Sequence, residues 1–600
     1  MIESSEASTN DIVTSLEKID NTKWQYNEDD NVYYQIGISY CETPADSNYE
    51  TLSIFVPGGY ITSSDNGDGT YTCELNTNTT VGNYTVSTAP FVMPVNTPGY
   101  SAQEALTEYQ SFTDYTDEGI IYVHAGCRGR DAGAPAGVTD LKAAIRYIRY
   151  NSGNIAGDTE KMFSFGMSGG GAQSLLLGVT GDSELYNDYL ESIGAVMGVS
   201  DSVYGSMAWC PITSLDSANE AYEWNMGTTR SDLTEEEQTI SNELTEAFAE
   251  YINALGLKDS DGNVLTLEQS DDGLWQSGSY YEYVKTAIES SLNQFLAETT
   301  FPYDADGSSQ GQQAGMGRGG NMGDIEGRDN MEDMGDLEDM DDMPMKGIDN
   351  TDSDSEEEFK GELGEISDRT NSENDELSED VDFAQIDDIS RTENNSGISI
   401  SGTYETVQDY IDALNTDVEW VTYDAQTNTA TISSVQAFAQ AMKTSSKGIA
   451  AFDQLDAGQG ENVLFGYGDG EGAHFDSTLS EILSEIDSEY ADDYSTDMTR
   501  TDSLGHTVQE RLNMYSPLYY LMQGSEGYQT STVAQYFRIR TGISQSDTSV
   551  TTELNLAQAL QNEGVDVDFA MVWGQEHTQA ETSGNSTENF ISWVHECMAK

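Results

Sequence analysis

A serine lies at the centre of a glycine-rich stretch in a pattern typical of a catalytic nucleophile. Residues 166–170 read Gly-Met-Ser-Gly-Gly, between a predicted strand, KMFSF, and a predicted helix, GAQSLLLGV. In a strand-to-helix turn of the form G-x-S-x-G, small neighbours let the serine hydroxyl protrude from the end of a sheet. We therefore predict that Ser168 is a nucleophile and that the N–H of Gly169 belongs to an oxyanion hole. The alternatives are a glycine-rich turn without chemistry and a phosphate-binding loop, but the loop lacks the Lys-Ser/Thr pair that Walker-type sites need.

A serine nucleophile needs a general base, and one histidine lies where this fold places it. His577 follows the predicted strand VDFAMVWG and precedes the last predicted helix. Among the other histidines, we interpret His124, at a strand end, and His595, within the last helix, as structural. His474 and His506 lie in or near a long insertion. The sequence therefore predicts His577 as the base.

The position of the triad acid is less well defined. The first carboxylate after the predicted strand AQYFRIRTG is Asp547, thirty residues before His577. We predict Asp547 as the acid, although a residue just before a helix also suits a helix N-cap. Asp216, after an earlier strand, is the second candidate. The loop near Asn96–Thr97, which follows FVMPV, is predicted to supply the second oxyanion N–H, from Thr97.

The elements around these residues indicate an α/β fold. Residues 31–100 have strand patterns, and from about residue 100 strands and helices alternate, which predicts a doubly wound, mostly parallel sheet of the α/β-hydrolase type. In the predicted helix TDLKAAIRYIRYN, the apolar residues share one face and Lys142, Arg146 and Arg149 lie elsewhere. The predicted organisation begins with an N-terminal segment, 1–30, and a first core part, 31–228. A mainly helical lid insertion, 229–507, follows and contains a disordered acidic Gly/Met-rich segment, 304–398. A second core part, 508–600, completes the chain.

The composition excludes two classes of partner. The 600 residues carry a formal net charge of −83 at pH 7. Such a surface repels nucleic-acid phosphates and anionic lipid head groups, so we expect neither as a partner. No run of about 18 apolar residues occurs, and no membrane insertion is expected.

The cysteines do not suggest a metal site. Five cysteines are present and none forms a C-x-x-C pair, which argues against zinc and thioredoxin-type sites. We predict no metal and no cofactor. A disulfide between Cys41 and Cys73 is one possibility, and the redox compartment stays open.

Five longer stretches resemble the bacterial tannases, which are α/β hydrolases. They are GCRGRDAGAPAGVTDLKAAIRYIR, FGMSGGGAQSLLLG, CPITSLDSANEAYEWNMG, AFDQLDAGQGENVLFG and MYSPLYYL. The resemblance covers the core and parts of the insertion. It implies hydrolysis of galloyl esters, a small phenolic substrate class, through a serine acyl-enzyme beneath a helical lid.

The resemblance also implies substrate contacts and exposes one departure. Lys447 and Glu461 match a family Lys and Glu that contact the phenolic hydroxyls of the galloyl ring. Where the family has Asp-x-Asp, this chain has Gln545-Ser546-Asp547. The first family Asp orients the histidine and the second contacts the ring hydroxyls. Three explanations of this departure are open. Asp547 takes the orienting role as well as the ring contact, or the alignment with the family is shifted by two residues, or Asp216 is the acid.

The sequence is also compatible with three other functions. A feruloyl or general carboxylesterase shares the core, and a prolyl-oligopeptidase-like peptidase uses a similar serine turn but needs a large gating domain. A non-catalytic binding protein would explain the loss of the acid at residue 545. We expect an extracellular or cell-surface protein whose leader is absent from this numbering, with a cytoplasmic location as the alternative.

Overall fold

One mixed sheet organises the computed structural model, which describes residues 12–231, 233–305, 400–443 and 447–600. All these residues belong to one compact unit, Met1–Gly315 with Glu393–Lys600. A second unit, Met316–Thr392, lies outside the described residues. The predicted disordered segment 304–398 also lies outside them, apart from residues 304 and 305, and Asp304 belongs to a short strand.

The strands are short and most lie in the first third of the chain. In chain order they are β1 Gln25–Asn27, β2 Val32–Ser39, β3 Thr51–Pro57, β4 Ile61–Asp65, β5 Tyr71–Leu75, β6 Thr80–Val81, β7 Tyr84–Thr85, β8 Phe91–Val95, β9 Ile121–Ala125, β10 Met162–Met167, β11 Gly205–Trp209, β12 Tyr303–Asp304, β13 Thr403–Tyr404, β14 Val421–Asp424, β15 Thr429–Ile432, β16 Tyr536–Gly542 and β17 Asp566–Val572.

The main sheet is parallel over six of its strands. Among the described residues, nine strands pair in the order β1-β2-β3-β9-β8-β10-β11-β16-β17. The pairs from β9 to β17 are parallel, and β1, β2 and β3 add an antiparallel edge. This confirms the predicted α/β-hydrolase fold, with β1–β3 as an antiparallel extension.

The order of the strands creates a crevice at one end of the sheet. From β8 the chain first adds β9 on one side and then β10 on the other. Such a switch point is where open α/β sheets bind ligands, at the carboxyl ends of the strands. The loops that follow β8 and β10 leave the sheet there, so residues 96–97 and 168 flank the crevice.

Helices pack against the sheet and form most of the regular secondary structure in the described part of the long insertion. They are α1 Thr113–Thr116, α2 Ala136–Tyr150, α3 Gly169–Val179, α4 Asn187–Ser192, α5 Ala218–Met226, α6 Glu235–Leu255, α7 Gly278–Glu298, α8 Val407–Leu414, α9 Val435–Met442, α10 Gly460–Phe465, α11 Ser477–Glu485, α12 Ala491–Thr499, α13 Val508–Tyr515, α14 Pro517–Leu521, α15 Val550–Asn562 and α16 Ser586–Ala599.

The insertion between β11 and β16 shares its core with the sheet. Phe248, Tyr280 and Leu292 lie in the same continuous apolar cluster as the central strands. A smaller cluster within the insertion includes Leu244 and Leu483. The predicted domain boundaries at residues 30, 228 and 507 stay predictions.

Helix α2 differs from its predicted pattern because its basic residues are buried. Lys142 Nζ lies 2.8 Å from Asp201 Oδ1, and Arg146 lies 2.7 Å from Asp201 Oδ2. Asp201 is 1 % exposed and Lys142 is fully buried. Charges are buried in this way only when they are paired. The partner of both cations lies more than fifty residues away in the chain, so helical periodicity alone could not indicate it.

The five cysteines are all free and buried, so the bridge considered between Cys41 and Cys73 is not formed. In the described part of the chain, no helix is both long enough and apolar enough to cross a bilayer.

Candidate active site

Ser168 lies in a strained turn between β10 and α3. Its φ is 58° and its ψ is −125°, a combination that non-glycine residues rarely adopt. The turn is fixed from both sides, because Ser168 N–H donates to Trp209 O at 3.0 Å and Ser168 O accepts from Ala172 N–H at 3.0 Å. The Ser168 residue is partly exposed. This is the geometry of a nucleophile elbow.

The glycines around Ser168 are required because backbone lies against them. A Cβ at Gly166 would lie 2.5 Å from Gly170 O, and a Cβ at Gly170 would lie 2.0 Å from Val95 O. A Cβ at Gly169 would lie 2.6 Å from Tyr100 N. Strand β8, its following loop and helix α3 can therefore meet only where side chains are absent.

We expect Gly170→Ala to lower the free energy of unfolding by about 3 kcal/mol, since its Cβ overlaps the backbone of β8 rather than a movable side chain. Thermal unfolding compared with wild type measures this. Gly524→Ala is the control, because the nearest atom to its Cβ is 4.0 Å away. Equal melting temperatures for the two variants would contradict this interpretation of the glycines.

Two backbone N–H groups close to Ser168 have no hydrogen-bond partner among the described residues. Gly169 is the first residue of α3, so its N–H has no partner within the helix. The neighbouring Asn96 N–H donates to Gln103 Oε1 at 2.6 Å, whereas within the described residues neither Thr97 N–H nor Gly169 N–H donates a hydrogen bond. A Cβ at Gly170 would lie 3.1 Å from Thr97 N, which places Thr97 against the start of α3. The two free donors can stabilise a developing oxyanion.

The imidazole of His577 is held by an amide rather than by an acid. His577 Nδ1 lies 2.7 Å from Gln545 Oε1, and Asp547 Oδ2 lies 3.7 Å from the same nitrogen. Asp547, the predicted acid, is therefore beyond hydrogen-bond distance, and its side chain is 39 % exposed. Gln545 takes the orienting position, and it is buried, at 3 % exposure.

The loop that carries His577 passes beside the serine turn. Cys210 follows Trp209, whose carbonyl binds Ser168 N–H, and Cys210 Sγ donates to Thr578 O at 3.2 Å. Gly542 N–H donates to Cys210 Sγ at 3.3 Å, which joins the end of β16 to the same point. No hydrogen bond joins Ser168 and His577 in the described residues. Such contacts often form only once substrate is bound.

Asp216, the second candidate for the acid, faces a different part of the molecule. Its carboxylate accepts from Ser516 Oγ at 2.6 Å and from Tyr251 OH at 3.4 Å. Burial raises the pKa of this carboxyl. Asp216 anchors the insertion and does not orient His577.

The other histidines have structural partners. His124 Nε2 contacts Glu104 O at 2.8 Å, and burial lowers the pKa of this ring. His595 Nδ1 contacts Tyr84 OH at 2.6 Å. His474 is bound to Asp453 and stacked on Tyr494, and His506 stacks on Tyr189 near two carboxylates.

Lys447 and Glu461 form a pair in the insertion. Lys447 Nζ lies 4.0 Å from Glu461 Oε1, and their side chains are 10 % and 6 % exposed. Lys447 Nζ also lies over the ring of Phe452, 3.9 Å from its centroid. The pair is therefore partly desolvated, which strengthens any polar contact it makes.

This pair adjoins the oxyanion loop. Arg130 Nη1 donates to Gly99 O at 2.9 Å and would lie 2.6 Å from a Cβ at Gly460. Helix α10, which begins at Gly460, thus packs against the turn that follows Thr97. The structure brings Ser168, Gly169, Thr97, His577 and the Glu461 helix to one end of the sheet.

Two residues near His577 were not singled out from the sequence. Gln545 Nε2 donates to Glu553 Oε1 at 3.0 Å, and Lys443 Nζ donates to Gln545 O. Both Glu553 and Lys443 are buried. The available signal was that Glu553 is the single charged residue of the helix VTTELNLAQALQN.

Within the described ranges, no group of three or more His, Cys, Asp or Glu side chains is placed to hold a metal ion.

Comparison with known proteins supports the fold. The family BD-FAE, an esterase-type domain, matches residues 88–252. The chain is similar to tannin acyl hydrolase from Lactobacillus plantarum, with 24 % identity, a TM-score of 0.61 and 94 % of each chain covered. It is also similar to Fusobacterium nucleatum tannase, with 24 % identity, a TM-score of 0.62, and 94 % of this chain and 95 % of that chain covered. A tannin acyl hydrolase in complex with ethyl gallate matches at 24 % identity, a TM-score of 0.60 and 94 % of each chain. No curated protein matches this chain.

These similarities confirm the resemblance predicted from the sequence at the level of fold. The chain has an α/β-hydrolase fold, in which residues 88–252 are similar to the esterase-type BD-FAE domain, and the candidate site lies at the crevice of this fold.

Proposed function

We propose that this protein is a serine esterase that hydrolyses galloyl-type phenolic esters through an acyl-enzyme on Ser168. The observation that carries the proposal is the convergence at one crevice of a strained serine, two N–H groups free to donate, and a histidine held at Nδ1. The solved tannin acyl hydrolases of similar fold, one of them bound to ethyl gallate, support the choice of substrate class.

In this proposal Ser168 Oγ attacks the ester carbonyl carbon while His577 Nε2 accepts the hydroxyl proton. The carbonyl oxygen becomes an oxyanion that accepts hydrogen bonds from Gly169 N–H and Thr97 N–H. The C–O bond to the alcohol then breaks, and His577 gives its proton to the departing oxygen. An acyl-enzyme on Ser168 remains.

Water completes the reaction by the same route. His577 removes a proton from a water molecule, and the resulting hydroxide attacks the acyl carbon. The Ser168 oxygen leaves and regains the proton, which releases the phenolic acid. Neither half of the reaction requires a metal or a cofactor as co-reactant.

The Lys447–Glu461 pair suits recognition of a hydroxylated ring. A phenolic hydroxyl can donate to the Glu461 carboxylate while its oxygen accepts from the Lys447 ammonium. Asp547, with a partly exposed carboxylate 3.7 Å from His577, is a further candidate for a ring hydroxyl. Hydrogen bonds to charged groups contribute about 1.5–3 kcal/mol each when partly buried.

We therefore expect Lys447→Ala to lower kcat/KM for methyl gallate by about 10- to 100-fold and to leave kcat/KM for methyl benzoate within about twofold of wild type. Steady-state hydrolysis of methyl gallate, methyl ferulate and methyl benzoate measures this selectivity. Lys285→Ala is the matched control, because Lys285 forms a Lys–Glu pair of 2.9 Å on α7, within the helix itself.

Three outcomes would contradict the proposal. An equal loss on all three esters would give Lys447 a role in holding the lid instead. Preference of the wild type for methyl ferulate would favour a feruloyl esterase, and no turnover of any ester would favour a binding protein. An extracellular or cell-surface location remains part of the proposal and is tested by fractionation.

A further inference from the structure

Gln545 stands where a triad acid would orient the histidine, and an amide is ambiguous there. Its oxygen accepts a hydrogen bond from His577 Nδ1–H, but its NH₂ group, if turned round, would donate to Nδ1. In the second case the ring proton lies on Nε2 and the histidine cannot accept the serine proton. In a Ser-His-Asp triad, replacing the acid by an amide lowers kcat by about 10⁴-fold because the wrong tautomer forms.

The surroundings of Gln545 remove this ambiguity. Gln545 Nε2 lies 3.0 Å from Glu553 Oε1 and 2.7 Å from Thr541 Oγ1. Glu553 Oε1 also accepts from the Thr541 and Thr548 hydroxyls, each at 3.2 Å. A carboxylate oxygen accepts and does not donate, so the NH₂ group of Gln545 must face it.

We propose that Glu553 is a positioning residue that fixes the amide of Gln545, so that His577 carries its proton on Nδ1 and presents the Nε2 lone pair to Ser168. This inference rests on the proposed function of Ser168 and His577. In this arrangement the acid, Glu553, does not contact the imidazole of His577. It contacts the side-chain amide of Gln545, which in turn contacts the imidazole.

Protonation of Glu553 does not remove the acceptor that faces Gln545. Burial raises the pKa of Glu553 to about 7 and lowers the pKa of the facing Lys443 to about 8. The Cys210 thiol also faces Glu553, and Asp547 lies near Lys443. Among the described residues Glu553 Oε2 has no hydrogen-bond partner. A proton taken up at Oε2 leaves Oε1 free to accept, so the orientation of Gln545 survives protonation.

The test compares the single variant Glu553→Met with the double variant Glu553→Met/Gln545→Glu. Methionine has similar length but no acceptor oxygen, so we expect kcat for methyl gallate to fall about 10- to 100-fold, with KM within about threefold. Gln545→Glu puts a carboxylate directly on His577, so the double variant should recover at least tenfold of that loss. A purely structural role predicts no recovery in the double variant and would overturn the inference.

A second measurement does not depend on turnover, and its main result comes from the wild-type protein. Histidine-selective ¹⁵N labelling gives the tautomers of the five imidazoles, with His577 assigned from the spectrum of His577→Gln. We expect His577 to carry its proton on Nδ1 in the wild type and to populate both tautomers in Glu553→Met. A wild-type Nε2–H tautomer would overturn the inference. If neither the wild type nor any variant hydrolyses esters but the tautomers behave as expected, the proposed function fails and the positioning role stands.

Discussion

Replacing Ser168 by alanine is expected to lower kcat by about 10⁴- to 10⁶-fold while KM for methyl gallate changes little. The oxygen of Ser168 forms the bond to the acyl carbon, and no other group of the site can replace it. The turn itself should persist, because alanine has no larger side chain and the hydrogen bonds of residue 168 to Trp209 and Ala172 use backbone atoms.

A matched serine separates loss of the nucleophile from loss of the turn. Ser214 has a φ of 57°, close to the 58° of Ser168, and it lies after β11. Ser214→Ala should keep kcat within about twofold of wild type. Comparable loss in both variants would mean that a strained serine, and not a nucleophile, is what the crevice needs.

Replacing His577 by glutamine is expected to lower kcat by a similar factor of about 10⁴ or more, because the serine proton then has no acceptor. Triad members act as a unit, so the double variant Ser168→Ala/His577→Gln should be no slower than Ser168→Ala alone. Steady-state rates of the three variants check both statements. If the loss of kcat in the double variant equalled the product of the two single losses, His577 would not act in the same reaction step as Ser168.

His474 provides the control for this second result. His474 Nδ1 lies 2.8 Å from Asp453 Oδ1 and its ring stacks on Tyr494 at 3.6 Å, so it has the acid partner that His577 lacks. We expect His474→Gln to lower the melting temperature and to leave kcat within about threefold of wild type. That result would show that a His–Asp pair does not by itself identify the catalytic histidine.

Much of the fold followed from local patterns. The strand-turn-helix around Ser168 and the strand, loop and helix around His577 are short-range features, and each depends on hydrophobic runs interrupted by glycine or by polar residues. The antiparallel β1–β3 edge needed the pairing of strands across the chain. The burial of Lys142 could not be predicted because its partner, Asp201, lies in a distant loop.

The orienting group of His577 was out of reach of the sequence for a similar reason. Gln545 and Asp547 lie two residues apart in one loop, and spacing does not say which of them turns inward. In the structure Gln545 turns inward, because Lys443 donates to its main-chain carbonyl and Glu553 accepts from its side-chain NH₂ group. Lys443 directly follows α9 and Glu553 lies in α15, and the sequence did not connect either helix to the site.

The most direct test of the proposed reaction is labelling with a fluorophosphonate, followed by mapping of the modified residue by mass spectrometry. An activated serine reacts with this reagent and an ordinary one does not. We expect one label per chain, on Ser168, with hydrolysis of methyl gallate lost in proportion to labelling and no label in Ser168→Ala. Continued hydrolysis by fully labelled protein, or a label on another residue that alone abolishes activity, would contradict the assignment of Ser168 as the nucleophile.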